Sequence, residues 1–182
     1  SKDTAANIAL NLADLAANVA KIDSITQKGT AAPLTMTAAQ YANAGVTAAL
    51  GKVQGNYSLS ITGVAVADAK TKADGNARIV GMTLTGSAAD VVSNLTDLNA
   101  LGQKVISITQ SDSTTSPIAL NRDQWLNQTA ALDKLVGGYK ATVSGVTAAQ
   151  ATGIAADGHV RTVQITDTGA NIQARLDDLQ DL

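Results

Sequence analysis

Cysteine is absent from the 182 residues, which excludes disulfides and thiolate metal sites. Phenylalanine is absent as well and aromatics make up 2%, so within an apolar share of 45% burial falls to Ala, Val, Leu and Ile. Side chains this small fill space only where backbones approach closely. Stacked repeats meet that condition, because each layer needs to cover only its neighbours. No charge sign dominates either: 13 basic residues face 15 acidic ones, with no block able to track a phosphate backbone, and nucleic acid is not an expected partner. No apolar run approaches the roughly eighteen residues of a membrane helix, and no charged-then-apolar leader opens the chain, so no membrane insertion is expected. The chain starts in mid-pattern at Ser1-Lys2-Asp3, and we read it as a stretch of a longer protein whose targeting signals lie elsewhere.

What is present is a duplication. Asp3-Thr4-Ala5-Ala6-Asn7-Ile8 returns as Asp167-Thr168-Gly169-Ala170-Asn171-Ile172, and Leu12, Asp14 and Leu15 return as Leu176, Asp178 and Leu179, each twice a unit of about 82 residues away. The intermediate copy carries Ser107-Ile108-Thr109-Gln110 for Ser24-Ile25-Thr26-Gln27, and Tyr139 and Gly145-Val146 for Tyr57 and Gly63-Val64. Small slips, such as Pro33 against Pro117, mark loops that absorb insertions. The expected organisation is one repeat array over 1–182: repeat one 3–85, repeat two 86–166 and a partial repeat three 167–182.

Inside a unit the apolar period switches between helix and strand. Asp3 or Thr4 caps a helix carrying Ile8, Leu12, Leu15 and Val19. A strand follows over 21–27, then a loop through Pro33, and Thr37 caps a second helix from Ala38 to about Val53, which Gly55-Asn56 stops. The spacing predicts a strand over 57–62, a short helix over 64–73 and a third strand over 78–84. Repeat two reads alike: a helix over 88–101, a strand over 104–109, a helix over 122–136 capped by Asn121, a strand over 139–144, a short helix capped by Thr147, and a strand over 159–166. Strands separated each time by a helix pair in parallel through crossovers. The expected fold is therefore α/β, a solenoid of repeating helix-strand coils with a parallel sheet on one side and helices on the other, like a leucine-rich-repeat protein.

Chemistry-bearing residues are few. His159, the only histidine, has Asp157 as its one helper and Ala77 as its first-unit counterpart, so a solvent-facing strand start is the better reading than catalysis. Asp3, Asp14, Asp97, Asp167, Asp177, Asp178 and Asp181 lack the dense Gly-Asp or alternating-acid pattern of calcium loops, and caps and solvated helix faces account for them. Gly45, Gly51, Gly137 and Gly138 form no phosphate-cradling loop. Tyr41 and Trp125 stand four residues after the caps Thr37 and Asn121, where a large side chain closes over the preceding loop. No catalytic residue, metal site or cofactor is expected, and the chain does not read as an enzyme. The strands' outward parity collects Ser58, Ser60, Thr62, Thr83, Ser107, Thr109, Thr142, Ser144, Thr162 and Gln164 into a field of hydroxyls. Such a field suits a glycan or protein ligand, although β-branched Thr also suits a solvated sheet with no ligand.

The phrases Asp-Thr-Ala-Ala-Asn-Ile with Leu-x-x-Leu, Ser-Ile-Thr, Pro-Leu-Thr-Met-Thr-Ala-Ala-Gln and Tyr-Ser-Leu-Ser-Ile-Thr-Gly-Val resemble the Ala/Thr-rich tandem repeats of very large bacterial secreted or surface proteins, adhesin-like ones that carry calcium-binding (RTX-type) repeats elsewhere. The resemblance covers essentially the whole chain. It implies an extracellular or cell-surface array used for reach, scaffolding or adhesion, while the calcium nonapeptides themselves are absent here. The expected function is a non-enzymatic structural or interaction module, an extended scaffold or spacer. The second reading is an adhesin-type module that engages glycan or host protein through the hydroxyl face. Expected partners are neighbouring repeats of the same chain, with end-to-end self-association through apolar edges at Ile8 and Leu179.

Overall fold

The computed structural model describes residues 2–112 and 116–182. It is α/β, built from parallel sheets and helices in two compact units, the first 1–84 with 103–106 and the second 85–102 with 107–182.

The first unit opens with β1 (Lys2–Asp3), α1 (Ala5–Leu10) and α2 (Leu12–Ala17). Thr4 caps α1 by accepting a hydrogen bond from Asn7 N. The single helix expected through Val19 is broken at Asn11, whose Nδ2 donates to Asn7 O at 2.8 Å, while Asn18 Nδ2 does the same to Asp14 O at 3.0 Å. Both side-chain amides bond carbonyls that also accept the backbone N–H of the same Asn. Val19–Lys21 is a 3₁₀ turn, so the strand expected from Lys21 is reduced to β2 (Ile25–Gln27). β3 (Leu34–Thr37) lies where a loop was expected; its Leu-Thr-Met-Thr alternation buries Leu34 and Met36. Thr37 then forms a capping box with Gln40 and starts α3 (Ala38–Tyr41). The expected long second helix ends there, because the Asn43 side chain accepts from Gly45 N and Val46 N and so caps a separate α4 (Ala44–Leu50). α4 packs on α2 so closely that a Cβ on Gly45 would stand 3.1 Å from Ala16 Cβ. β4 (Val53–Gln54), β5 (Leu59–Ala65), a 3₁₀ turn (Val66–Asp68), α5 (Ala69–Gly75) and β6 (Ile79–Gly86) complete the run, with the unit boundary inside β6.

β1 pairs with β2 and β2 with β4, both in parallel, and β3 pairs in parallel with β5, which neighbours β6. Leu34, Met36, Leu59, Ile61, Ile79, Met82 and Leu84 from the strands, with Ile8, Leu12, Val46 and Leu50 from the helices, are the buried core. Each large aliphatic removed from water contributes about 1.5–3 kcal/mol before entropy is counted.

The second unit contains α6 (Ala88–Leu101), at the boundaries its periodicity predicts, started by a Ser87–Asp90 capping box. α6 keeps the Asn bond at Asn94 yet stays continuous, for which the structure offers no local reason. A 3₁₀ turn (Gly102–Lys104) leads to β7 (Val105–Gln110), whose first residues belong to the first unit. β8 (Ile118–Asn121), α7 (Arg122–Asn127), α8 (Thr129–Leu132), β9 (Leu135–Val136), β10 (Ala141–Val146), α9 (Ala148–Ala155), β11 (Val160–Ile165), α10 (Gly169–Gln173) and α11 (Leu176–Gln180) follow. The helix expected over 122–136 is thus α7, α8 and the two-residue strand β9. β8, like β3, lies where no strand was expected, before a helix cap, and β9, like β4, lies at the end of a stretch expected to be helical. β8, β10 and β11 form a parallel sheet in the order β11-β10-β8, and β7 pairs in parallel with β9.

Candidate functional site

In the first unit, register places Thr35 beside Ser60 and Thr37 beside Thr62, so one face of the β3–β5 pair carries a double row of hydroxyls. Ser60, Thr62 and Thr83 are half-buried, and Ser58 lies in the turn before β5. Two of these hydroxyls are already engaged: Thr62 Oγ1 donates to Met36 O at 3.4 Å, and Thr83 Oγ1 accepts from Gly63 N at 3.1 Å. Gly63 has φ +69°, a conformation that L side chains rarely adopt. The same face is not uniformly polar. Val80 is exposed, and Ile106, 51% exposed, lies over Gly81, where an added Cβ would come within 2.6 Å of its Cδ1. An apolar rib thus crosses the hydroxyl field that strand parity alone predicts.

In the second unit, Thr142 and Ser144 on β10 stand beside Ala119 and Asn121 of β8, and Ser144 Oγ donates to Leu120 O at 3.3 Å. Thr142 pairs across to Thr162 after a register shift that takes up Arg161, and Thr162 and Gln164 are exposed on β11. On β7, Ser107 is half-buried and Thr109 is exposed, paired with the exposed Val136. The structure therefore brings the ten hydroxyl and amide positions onto outward strand faces or their approaches, unit by unit, but spends part of their hydrogen-bonding capacity within the sheets.

A feature the sequence did not announce sits at the turn into β11. Tyr139, 7% exposed, stacks on the His159 ring with centroids 4.5 Å apart and planes 12° from parallel. Asp157 Oδ1 accepts from His159 N at 2.8 Å and lies 3.1 Å from its Nδ1, and Lys140 Nζ donates to Gly158 O at 2.8 Å. Burial, then the charges of Asp157 and Asp133, push the Tyr139 phenol up to about 12. The first unit repeats the arrangement with a guanidinium in place of the imidazole. Arg78 lies 4.1 Å over the Tyr57 ring and donates to Tyr57 O at 3.1 Å, and Asn76 Oδ1 accepts from Arg78 N at 3.0 Å as Asp157 does from His159 N. His159 therefore corresponds to Arg78, not to Ala77, and both close over a tyrosine at the strand start. Tyr41 is half-buried, its OH accepting from Asn76 Nδ2 at 3.1 Å, and Trp125 is half-buried at its matching position on α7.

The aspartates act on local backbone. Asp3 Oδ1 accepts from Thr4 N and Asn7 Nδ2, both at 2.8 Å, and Asp167 Oδ1 accepts from Thr168 N at 2.8 Å and Asn171 Nδ2 at 2.6 Å. The Asn side chain first, then backbone amides, hold both carboxyls below their ordinary range, and Ser87 does so for Asp90. Asp167 Oδ2 also accepts from Ala148 N at 3.0 Å, and Asp112 reaches Ala88 N in the same way, so each carboxylate ties the end of a strand to a helix start about twenty residues earlier. Among the described residues no three His, Cys, Asp or Glu side chains cluster closely enough to hold a metal ion. An open groove of about 530 Å³ in the first unit, lined by Ala13, Ala16, Ala17, Ala39, Gln40 and Asn43, offers small side chains and little polar convergence. Among the described residues no helix is long and apolar enough to cross a membrane.

Comparison with family models, with curated proteins and with solved structures found no match for the chain.

Proposed function

We propose that the chain is a non-enzymatic repeat module of a large bacterial surface or secreted protein, in which α/β coils stack as a solenoid and serve as an extended scaffold or spacer. One observation carries the reading: the same positions are buried in successive copies. Ile8 and Leu12 return as Val91 and Leu95, Leu59 and Ile61 as Ala141 and Val143, and Val64 as Val146, all in the core. A layer that buries equivalent aliphatic positions can be repeated without redesign, and added copies add length. The extracellular or cell-surface placement rests on the resemblance of the repeated phrases to Ala/Thr-rich bacterial repeats. Small-angle scattering tests the reading. A compact chain of this length has a radius of gyration of about 16 Å, and a stacked array gives a clearly larger value; a value at the compact limit removes the scaffold.

The second reading, an adhesin-type module that engages glycan or host protein through its strand hydroxyls, is favoured by the exposure of Thr109, Thr162 and Gln164. The engaged hydroxyls of Thr62, Thr83 and Ser144 weigh against it. A glycan array and a host-protein pull-down showing no specific capture would dispose of it.

A further inference from the structure

Two successive corners of the first unit flank an open groove of about 330 Å³. One corner leaves β2 through Gly29 and the other leaves β4 through Gly55, both glycines at positive φ, +84° and +82°. Each corner is tied down. Gln27 Nε2 donates to Ala32 O at 3.0 Å across the first, and Arg78 Nη1 donates to Tyr57 O at 3.1 Å in the second. Neighbours within the chain already stand on both sides: β1 pairs with the edge of β2 away from β4, and Arg78, just before β6, lies over the Tyr57 ring. A coil added ahead of Lys2 would stack on β1 and leave the groove open.

The groove's walls carry no charged side chain. They carry the amides of Gln27, Gln54 and Asn56, the hydroxyl of Thr26 and the ring of Tyr57. Thr26 and Gln54 are register partners, which sets the hydroxyl beside an amide. Among the described residues Asn56 and the Thr26 hydroxyl have no hydrogen-bond partner, Gln27 engages only its Nε2, and Gln54 makes only a 3.4 Å contact from its Nε2 to Lys52 O. The second copy shows what the corner itself requires. Val136 stands opposite Thr109 as Gln54 stands opposite Thr26, and the offset from Tyr57 to Tyr139 puts Gly138 where Asn56 is. Gly137 turns at φ +90° as Gly55 does, and Gln110 donates to Ser116 O as Gln27 does to Ala32 O. Turn, clip and tyrosine are kept while two amides are gone, so Gln54 and Asn56 are not what builds the corner.

We propose that this groove of the first unit binds a neutral saccharide, held by the Gln27, Gln54 and Asn56 amides against Tyr57. A primary amide presents a donor and an acceptor side by side, the match for two neighbouring hydroxyls of a pyranose. An aromatic side chain supplies the apolar surface that the C–H face of such a ring covers, with a polar tip beside it. The uncharged lining selects a neutral sugar over an acidic one, because no cation in the walls repays the desolvation of a carboxylate. The site goes beyond the scaffold reading, and it differs in place from the strand hydroxyls, since none of Ser58, Ser60, Thr62 or Thr83 lines it.

The test titrates the full, nitrogen-15-labelled chain with neutral oligosaccharides of glucose, mannose and galactose, and with oligogalacturonate, by nuclear magnetic resonance. Saturable binding of at least one neutral probe is expected, with the side-chain amide signals of Gln54 and Asn56 among those that shift. Gln54→Val/Asn56→Gly installs the second copy's residues; it is expected to keep the cooperative unfolding transition and to weaken that binding about tenfold or more. Thr162→Ala/Gln164→Ala, on the exposed face of β11, is expected to leave binding unchanged. The shifts are read in the unsubstituted chain, so they decide the matter even if the double variant fails to fold. The proposal is overturned if no neutral probe saturates, if oligogalacturonate binds more tightly than every neutral probe, or if the shifts spare Gln54 and Asn56. Binding that survives Gln54→Val/Asn56→Gly and is lost in Thr162→Ala/Gln164→Ala would sink the groove and support the strand face. Silence from every probe would sink the groove and leave the scaffold standing.

Discussion

At the scale of the residue, the division between the buried and outward faces of a strand has consequences that differ by several kcal/mol. Leu95 and Ile108 are fully buried, and truncating either to alanine removes the transfer energy of its side chain and leaves a cavity in a core of small aliphatics that has little to collapse inward. Leu95→Ala or Ile108→Ala is expected to cost about 2–5 kcal/mol in a denaturant titration, whereas Thr142→Ala, on the outward face of β10, stays within about half a kcal/mol. Equal effects would mean that the strand parity is misassigned. Tyr139 supplies a second readout. Its phenol, held up to about 12, stays neutral through the range near 10 where an unfolded tyrosine ionises. The group's contribution to stability is therefore complete below about pH 10 and is lost as pH rises toward 12. In the ultraviolet absorbance of tyrosinate, one of the three tyrosines should titrate late, and Tyr139→Phe should abolish that phase and flatten the alkaline loss of stability. Of this corner the sequence disclosed only that His159 neighbours Asp157. The Tyr139 ring beneath it was invisible because a one-residue slip in the repeat offset set His159 against Ala77, when the turn built by Asn76 and Asp157 sets it against Arg78.

At the scale of the element, helix starts are the best-specified features, since each is written in a side chain that accepts an otherwise orphaned amide. Thr4, Thr37 and Asn121 cap the helices the sequence places after them, and Ser87 and Thr168 cap α6 and α10 in the same way. Ser87→Ala, which dismantles the box with Asp90, should cost about 1 kcal/mol by thermal unfolding. Asp3, Asp90 and Asp167 make the starts pH-sensitive. Their carboxyls are held below the ordinary range in the folded chain, so their stabilisation is present at neutral pH and is lost as pH falls through and below about 4. The triple Asp→Asn variant at these positions is expected to show a shallower fall of melting temperature between neutral pH and pH 3; an unchanged slope would mean that other groups set the acid limb. Helix interiors were less legible. Asn43 fits a helical period, yet its side chain accepts from Gly45 N and Val46 N and so starts a separate helix, while the break at Asn11 has no such side-chain cap. The short strands β3, β4, β8 and β9 were hidden for a related reason: two to four residues are too few for alternation to stand out beside a helical stripe. On the candidate hydroxyl face, alternation located the Ser and Thr positions, while Val80 and Ile106 went unread because irregular residues in β6 and β7 put neighbouring side chains on one face.

At the scale of the molecule, the duplication turns length into a variable. If each unit buries the same set against the next, a further copy of 87–167 inserted between Asp167 and Thr168 meets a cap-compatible junction on both sides, because Ser87 stands where Thr168 stood and Asp167 again precedes Thr168. Nearest-neighbour stacking then makes three outcomes inseparable. The denaturant slope rises with the added buried surface, stability rises by one repeat plus one interface, and the largest dimension in scattering grows by a constant step with each further copy. A spacer needs only the last of these, but it cannot have it without the others, since a copy that lengthens the particle without sharing a core with its neighbours would melt as a separate transition at the old slope. Separate melting of the inserted copy is therefore the outcome that would defeat the scaffold at this scale, whatever the point substitutions show inside a single unit.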